Sequence, residues 1–363
     1  MTNTLHVGLI YGGLSSEHEV SIRSARNVHA ALDPSTYRVT LLYIDRKGDW
    51  RVVPADHLAS DGGRAEGGEG ERLLFAPGQN GGAVLTRQGD TAPEPLGLDV
   101  AFPVLHGQNG EDGRVQGFLQ TLGLPYVGPD VLGSAVCMDK EVAKRLLRDA
   151  GLPIVPFRVV RRGEPRPTYA GVSDALGSVL FVKPANSGSS VGTTKVEDAS
   201  SFPDAVDTAL RYDHKVLIET AVRGREIECA VLGNETPRAS VPGEIVSTAQ
   251  FYTYEAKYLD ADASRMVVPA DLPEAVADRV RDLAVEACRV LGCEGMARVD
   301  FFVSHDGDIS INEVNTIPGF TERSMYPVMW QETGLPYPAL LDALIRLALD
   351  RHARDAGLRT TRT

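Results

Sequence analysis

Residues 297–315, reading ARVDFFVSHDGDISINEVN, constrain the fold more than any other stretch of the chain. Two runs of strand composition flank HDGD, and Asp306-Gly307 is the strongest short signal for a two-residue hairpin turn. With that turn His305 faces Asp308, Val303 faces Ser310, Asp300 faces Glu313 and Arg298 faces Asn315. Arg298, Asp300, Glu313 and Asn315 then share one face of the ribbon. Two opposed carboxylates repel, so an all-oxygen set of this kind is stable mainly when a hard cation such as Mg²⁺ lies between them. The pattern predicts a metal site with a guanidinium beside it. A solvated hairpin face is the competing reading, but Phe301, Phe302, Ile309 and Ile311 make the ribbon too apolar for full exposure.

A chain of 363 residues, 43% hydrophobic, can bury large cores and is expected to form two or three domains. Its 37 basic and 49 acidic residues give a net charge of −12 without a dense Lys/Arg run, which argues against nucleic acid or an anionic membrane as partner. Any anionic ligand has to be held by local positive groups. Cys137, Cys229, Cys288 and Cys293 lack zinc-site or CxxC spacing and fall in apolar segments, so they read as core thiols of a reducing compartment. The start MTNTLHVGLIYGG has no basic n-region or long apolar run, and nowhere do 18 apolar residues follow one another. The expected location is the cytoplasm.

The first block, residues 1–133, alternates strand, glycine turn and helix. A buried strand at 5–11 leads through Gly12-Gly13 into a helix at 17–32, and a strand at 38–44 and VAFPVLHG at 100–107 precede a helix near 114–122. This is an α/β domain with a mostly parallel sheet. Residues 60–82, with eight glycines and many charges, read as a mobile insertion. The second block, 134–221, opens with the helix MDKEVAKRLLRDAGL and continues through a strand at 178–183, a glycine and serine loop at 186–192, a helix at 200–211 and the strand KVLIET. The third, 222–363, holds REIECAVLG, a loop at 246–258, a helix at 274–291, the hairpin and a C-terminal helix near 337–352.

FVKPANSGSSVGTTKV places Lys183 at the end of an apolar strand, before a loop of small residues whose N–H groups can approach a phosphate. It is not a Walker loop, and an ordinary hairpin reads the same. GGLSSEHEVS puts Glu17 at a helix start, where capping alone would also explain it. LHGQNGEDG sets His106 at a strand end facing a glycine turn. In EVNTIPGFTERSMYP, backbone amides and Ser324 can line an oxyanion pocket beside the metal strand.

Taken in order, GGLSSEHEVS, LHGQNGEDGRVQG, MDKEVAKRLL, VKPANSGSSVG, FYTYEAKY, ARVDFF and NEVNTIPGFTERSMYP resemble the motif set of the D-alanine–D-alanine ligases, enzymes of the ATP-grasp superfamily. They span residues 12–327. The resemblance implies a three-domain ATP-grasp architecture, α/β and α+β in class, with an N-terminal mostly parallel α/β domain. It implies that Lys140 and Lys183 hold the phosphates of ATP, that Glu219, Val222 and Glu226 surround adenine and ribose, and that Phe302 packs on the base. Asp300, Glu313 and Asn315 would ligate two Mg²⁺ or Mn²⁺ ions, as the hairpin suggests independently. Glu17 would anchor the ammonium of the first D-alanine, and His106 would lie near its carboxylate. Ser189 and Tyr258 would link Glu17 to a closing loop from which Lys257 reaches ATP. Arg298 and the Gly319 amide would form the oxyanion site, and Ser324 and Met325 the second-substrate pocket. Tyr258 and Met325 further imply D-alanine, in place of D-lactate or D-serine, as the second substrate, and the family implies a homodimer. Glu322 and Arg323 depart from its pattern, being charged where smaller or less charged residues are expected. Rival readings are a D-alanine–D-serine ligase, an unrelated amino acid ligase, or a nucleotide-binding regulator with an inert site. The last is disfavoured because the lysines, metal ligands and Arg298 are all present.

Overall fold

The computed structural model describes residues 4–59, 70–78, 83–88, 91–247, 264–321 and 323–359. Strand β1 (Leu5–Gly12) is buried along nearly its whole length, as an apolar run without alternation requires when both sheet faces are covered. Helix α1 (His18–Ala31) follows, and then β2 (Tyr37–Ile44). At the exit of β1, Gly12 has φ +92° and any Cβ would lie 2.2 Å from the carbonyl of Ile44, so only glycine lets the chain turn there toward α1. Strands β3 (Trp50–Val53), β4 (Glu71–Ala76), β5 (Ala83–Arg87), β6 (Glu94–Pro95) and β7 (Val100–Pro103) complete a sheet of order β6-β5-β4-β3-β2-β1-β7, with α2 (Arg114–Thr121) after it.

Pairing in this sheet is parallel only at β1–β2 and β1–β7. From β2 outward to β6 every pair is antiparallel. The parallel core was legible in the sequence, whereas the antiparallel flank was not. Connections without a crossover helix cannot return a strand in the parallel sense, so this region meanders. Residues 71–76 of the segment taken for a mobile insertion are therefore strand β4, with Leu73 buried.

Helices α3 (Val131–Met138) and α4 (Lys140–Asp149) lead to the second sheet. Asp139 caps α4 by accepting from the Val142 N–H. Strand β8 (Phe157–Arg161), α5 (Tyr169–Leu176), β9 (Leu180–Pro184), β10 (Thr194–Val196), α6 (Phe202–Tyr212) and β11 (Lys215–Thr220) form an antiparallel sheet of order β10-β9-β11-β8 backed by α5 and α6. The third sheet, β15-β14-β12-β16-β17, contains β12 (Arg225–Gly233), β14 (Gly243–Ser247), β15 (Ser264–Val267), β16 (Gly295–Val303) and β17 (Ile309–Asn315), and β13 (Arg238–Ala239) pairs with β12. Helix α7 (Glu274–Leu291) covers its apolar face.

The last helices, α8 (Met325–Glu332) and α9 (Tyr337–Ala356), share one core with β1, β2 and α1 of the first sheet. Arg351 on α9 is buried, donates to the carbonyls of Gly128 (2.5 Å) and Tyr126 (2.8 Å), and lies 4.7 Å from the Tyr126 ring centre. The C-terminal helices thereby tie the third block to the first sheet.

Candidate active site

Strand β16 alternates strictly: Val299, Phe301 and Val303 enter the core under α7, while Arg298, Asp300 and Phe302 turn to the opposite face. Arg298 pairs with Asn315 and Asp300 with Glu313, as the hairpin reading requires. The turn, however, is one residue longer than read. Ser304 N–H donates to the Asp308 carbonyl (2.9 Å) and Gly307, at φ +86°, closes a three-residue loop of His305, Asp306 and Gly307. Val303 consequently faces Ile309 and not Ser310. A bulge between the Asp300 and Phe301 pairs leaves Asn312 as an extra residue on β17, which restores the register before the polar pairs.

On the other side of β16, Glu228 of β12 stands opposite Asp300, so Glu228, Asp300 and Glu313 form a carboxylate row across three strands. Positive groups hold the row together. Arg298 donates from Nε and Nη2 to the two oxygens of Asp300 (2.7 and 2.8 Å), and its Nε lies 3.0 Å from Glu228 Oε2. Asn315 Nδ2 donates to Asp300 Oδ2 (2.9 Å), and Lys140 Nζ sits 3.3 Å from Glu313 Oε2. Neighbouring Asp300 and Glu228 charges hold Arg298 protonated well beyond its ordinary range, although burial opposes them. Among the described residues no three His, Cys, Asp or Glu side chains gather as a metal cage. Two carboxylates and an amide oxygen suit a hard ion that takes its remaining ligands from phosphates and water.

Glu219, buried near the end of β11, gathers two lysines, Lys183 from β9 and Lys144 from α4. Lys183 Nζ lies 2.7 Å from Glu219 Oε2 and donates to Asn312 Oδ1 (3.2 Å), so the bulge serves as a contact between the sheets. Lys144 Nζ lies 3.1 Å from Glu219 Oε1. Glu226 stands opposite Phe302 in the β12–β16 register. Val222 lies in the short connection between β11 and β12.

Glu17 occupies the residue before α1 but makes no side-chain cap. Its Oε1 accepts from Ser189 Oγ at 2.5 Å, joining the first sheet to the loop after β9. Ser189 and Ser190 both have positive φ, +50° and +58°, conformations that cost about 1–2 kcal/mol each for residues bearing a Cβ. Lys140 Nζ donates to the Ser187 carbonyl (2.9 Å) and fastens the same loop.

His106 is buried and fully engaged. The Phe320 N–H donates to Ser24 Oγ (3.3 Å), which stands 3.0 Å from His106 Nε2, while His106 Nδ1 faces the Ile317 carbonyl at 3.1 Å. Burial lowers its pKa, so the neutral Nδ1–H form fits this relay, and the histidine steadies the 317–320 loop. Glu111 was not singled out in the sequence, where an acid in a glycine turn reads as solvated. It accepts from the Gly107 N–H (2.6 Å) and Ile317 N–H (3.3 Å), and burial together with Glu17 pushes its carboxyl up to about 8. The folded chain thus keeps a proton that the unfolded chain releases, so stability falls as pH rises from about 4.5 to about 8. Glu111→Gln is expected to flatten the melting temperature over that window. An unchanged slope would remove Glu111 as its source.

The loop after β17 closes the cleft. A Cβ at Gly319 would lie 2.7 Å from Ser324 Oγ, and Ser324 Oγ accepts from the Thr321 N–H (2.9 Å), which makes the turn compact. Met325 is buried at the start of α8. A cavity of about 720 Å³ joins Glu17, His106, Ser189, Arg298, Gly319 and Met325, and Lys140, Glu313, Arg265 and Arg323 also line it. Tyr258, Lys257 and Glu322, and residues 60–69 and 79–82 of the glycine-rich insertion, lie outside the described residues.

Family models for the D-ala D-ala ligase N-terminus and C-terminus match residues 6–129 and 146–346. The chain belongs to the D-alanine–D-alanine ligase family. It is 51% identical over 360 residues to the D-alanine–D-alanine ligase A of Chromobacterium violaceum, covering 98% of both chains. Among solved structures it resembles the VanG D-Ala:D-Ser ligase of Enterococcus faecalis (TM-score 0.85, 33% identity, 95% of this chain and 100% of the other). It also resembles the Bacillus anthracis D-alanine–D-alanine ligase complexed with ATP (TM-score 0.74, 28% identity, 97% and 100%). Family membership agrees with the ATP-grasp arrangement of the second and third sheets. Sequence reasoning missed Glu111, Glu228 and Lys144. Glu228 follows Glu226 by two in a strand and Lys144 follows Lys140 by four in a helix, so each shares a face with a residue that was recognised.

Proposed function

We propose that the protein ligates two D-alanines to D-alanyl-D-alanine with cleavage of ATP to ADP and phosphate, supplying a peptidoglycan precursor, and that it works as a cytoplasmic homodimer. The observation that carries the reading is the joining of two half-sites in one cavity: the Glu17–Ser189 bridge, and Arg298 with Glu228 and Glu313, beside Asp300. Glu17 anchors the ammonium of the first D-alanine and sets its carboxylate toward Arg298. Lys140 and Lys183 hold the nucleotide phosphates, with Glu219, Val222, Glu226 and Phe302 around adenine and ribose. Asp300, Glu313 and Asn315 would hold two Mg²⁺ or Mn²⁺ ions, which when bound screen the repulsion between phosphate and carboxylate. Phosphoryl transfer to the first D-alanine yields an acylphosphate, and attack by the second amine, seated near Ser324 and Met325, expels phosphate. Arg298 and the Gly319 N–H stabilise the oxyanion formed in that attack. The 186–192 loop excludes water, which would otherwise hydrolyse the acylphosphate.

Phosphate release with D-alanine as sole amino acid, plus Mg²⁺ and ATP, tests the function, with product identified by mass. Formation of D-alanyl-D-alanine is expected, and a preference for D-serine or D-lactate as second substrate would replace this reading. Glu17→Gln is expected to raise KM for the first D-alanine by about 10- to 100-fold through loss of a charge-assisted contact, with KM for ATP nearly unchanged. An equal rise in both would refute the anchoring role.

A further inference from the structure

We infer that Lys144 is a positioning residue for nucleotide recognition: it holds one oxygen of Glu219 so that this carboxylate stays aimed at the exocyclic amino group of the purine, and Lys183 stays available to phosphate. The inference rests on the adenine role proposed above for Glu219. Lys144 is the more deeply buried of the two lysines on Glu219, with its side chain 1% exposed against 12% for Lys183. The two share the carboxylate, Lys144 at Oε1 and Lys183 at Oε2. Lys144 Nζ makes no aligned hydrogen bond, so it acts on Glu219 chiefly through charge.

A buried ammonium is costly, and burial draws this one down to about 8 even with Glu219 beside it. A merely structural filler at this point of α4 would be better served by an apolar chain. Lys144 follows Lys140 by one helical turn, so α4 sends one lysine to Glu313 and the Ser187 carbonyl and the next to Glu219. Without Lys144, both oxygens of Glu219 can turn onto Lys183. That closed pair would withdraw the carboxylate from the base and the ammonium from the phosphates.

The test compares ATP with inosine triphosphate, whose base carries a carbonyl in place of the amino group, in wild type, Glu219→Gln, Lys144→Met and Lys144→Gln. Wild type is expected to prefer ATP in kcat/KM. Glu219→Gln is expected to lose most of that preference. Both Lys144 variants are expected to lower it by about tenfold and to raise KM for ATP, leaving KM for D-alanine within about twofold. A packing defect would not discriminate between the two nucleotides, and the Gln variant serves if the Met variant does not fold. If Glu219→Gln loses the preference while the Lys144 variants keep it, the inference is overturned and the role of Glu219 stands. If Glu219→Gln keeps it, the reading of Glu219 fails and the inference falls with it.

Discussion

Arg298→Lys is expected to lower kcat by about 10²- to 10³-fold, the usual cost of losing a fixed oxyanion donor. The charge survives this change but the fork does not. Nε and Nη2 now hold the two Asp300 oxygens at 2.7 and 2.8 Å while Nε also faces Glu228 at 3.0 Å. A lysine is a single point donor on a flexible stem and cannot span both carboxylates. Because a cation remains, Asp300 and Glu228 are not left wholly uncompensated, and the melting temperature is expected to fall far less than it would for Arg298→Ala. Steady-state kinetics at saturating ATP and D-alanine, beside thermal melting, separate the two effects. A kcat within a few-fold of wild type would mean that Arg298 braces the carboxylate row without touching the reaction.

Asp300→Asn is expected to cost at least about 10²-fold in kcat and to raise the Mg²⁺ concentration needed for half-maximal rate. Both Asp300 oxygens accept hydrogen bonds, from Arg298 and from Asn315 Nδ2 (2.9 Å). An amide therefore sets a donor against a donor on one side or the other, besides removing a charge from the proposed metal site. A Mg²⁺ titration of phosphate release reads the effect, and a curve superimposable on wild type would exclude Asp300 as a ligand.

Local pattern made the polar pairing of the hairpin legible, though not its detailed path. Asp306-Gly307 marks a turn, but whether two or three residues close it depends on whether Ser304 or His305 begins the return, and the composition of HDGD suits both. Nothing in INEVN signals the bulge at Asn312. The polar pairing was nevertheless read correctly because the longer turn and the extra residue offset one another. Glu111 and Lys144 escaped notice for a shared reason: a charged residue in a turn or on a helix is usually solvated, and only tertiary packing half-buries the first and buries the second. The joining of α9 to the first sheet through Arg351 depends likewise on contacts between residues more than 200 apart, which no periodicity reports. Motifs with a fixed internal order were the more transferable signal, since seven of them in sequence specify one family where each alone suits several folds.

We propose that Asp300, Glu313 and Asn315 bind the metal that accompanies the nucleotide. Anomalous scattering from crystals containing Mn²⁺ and a nonhydrolysable ATP analogue tests it directly. The expected result is manganese at about 2 Å from oxygens of these three side chains, between them and the terminal phosphates, with the Arg298 guanidinium alongside. Manganese seated elsewhere against the same nucleotide, with those side chains still held by Arg298 and Lys140, would contradict it.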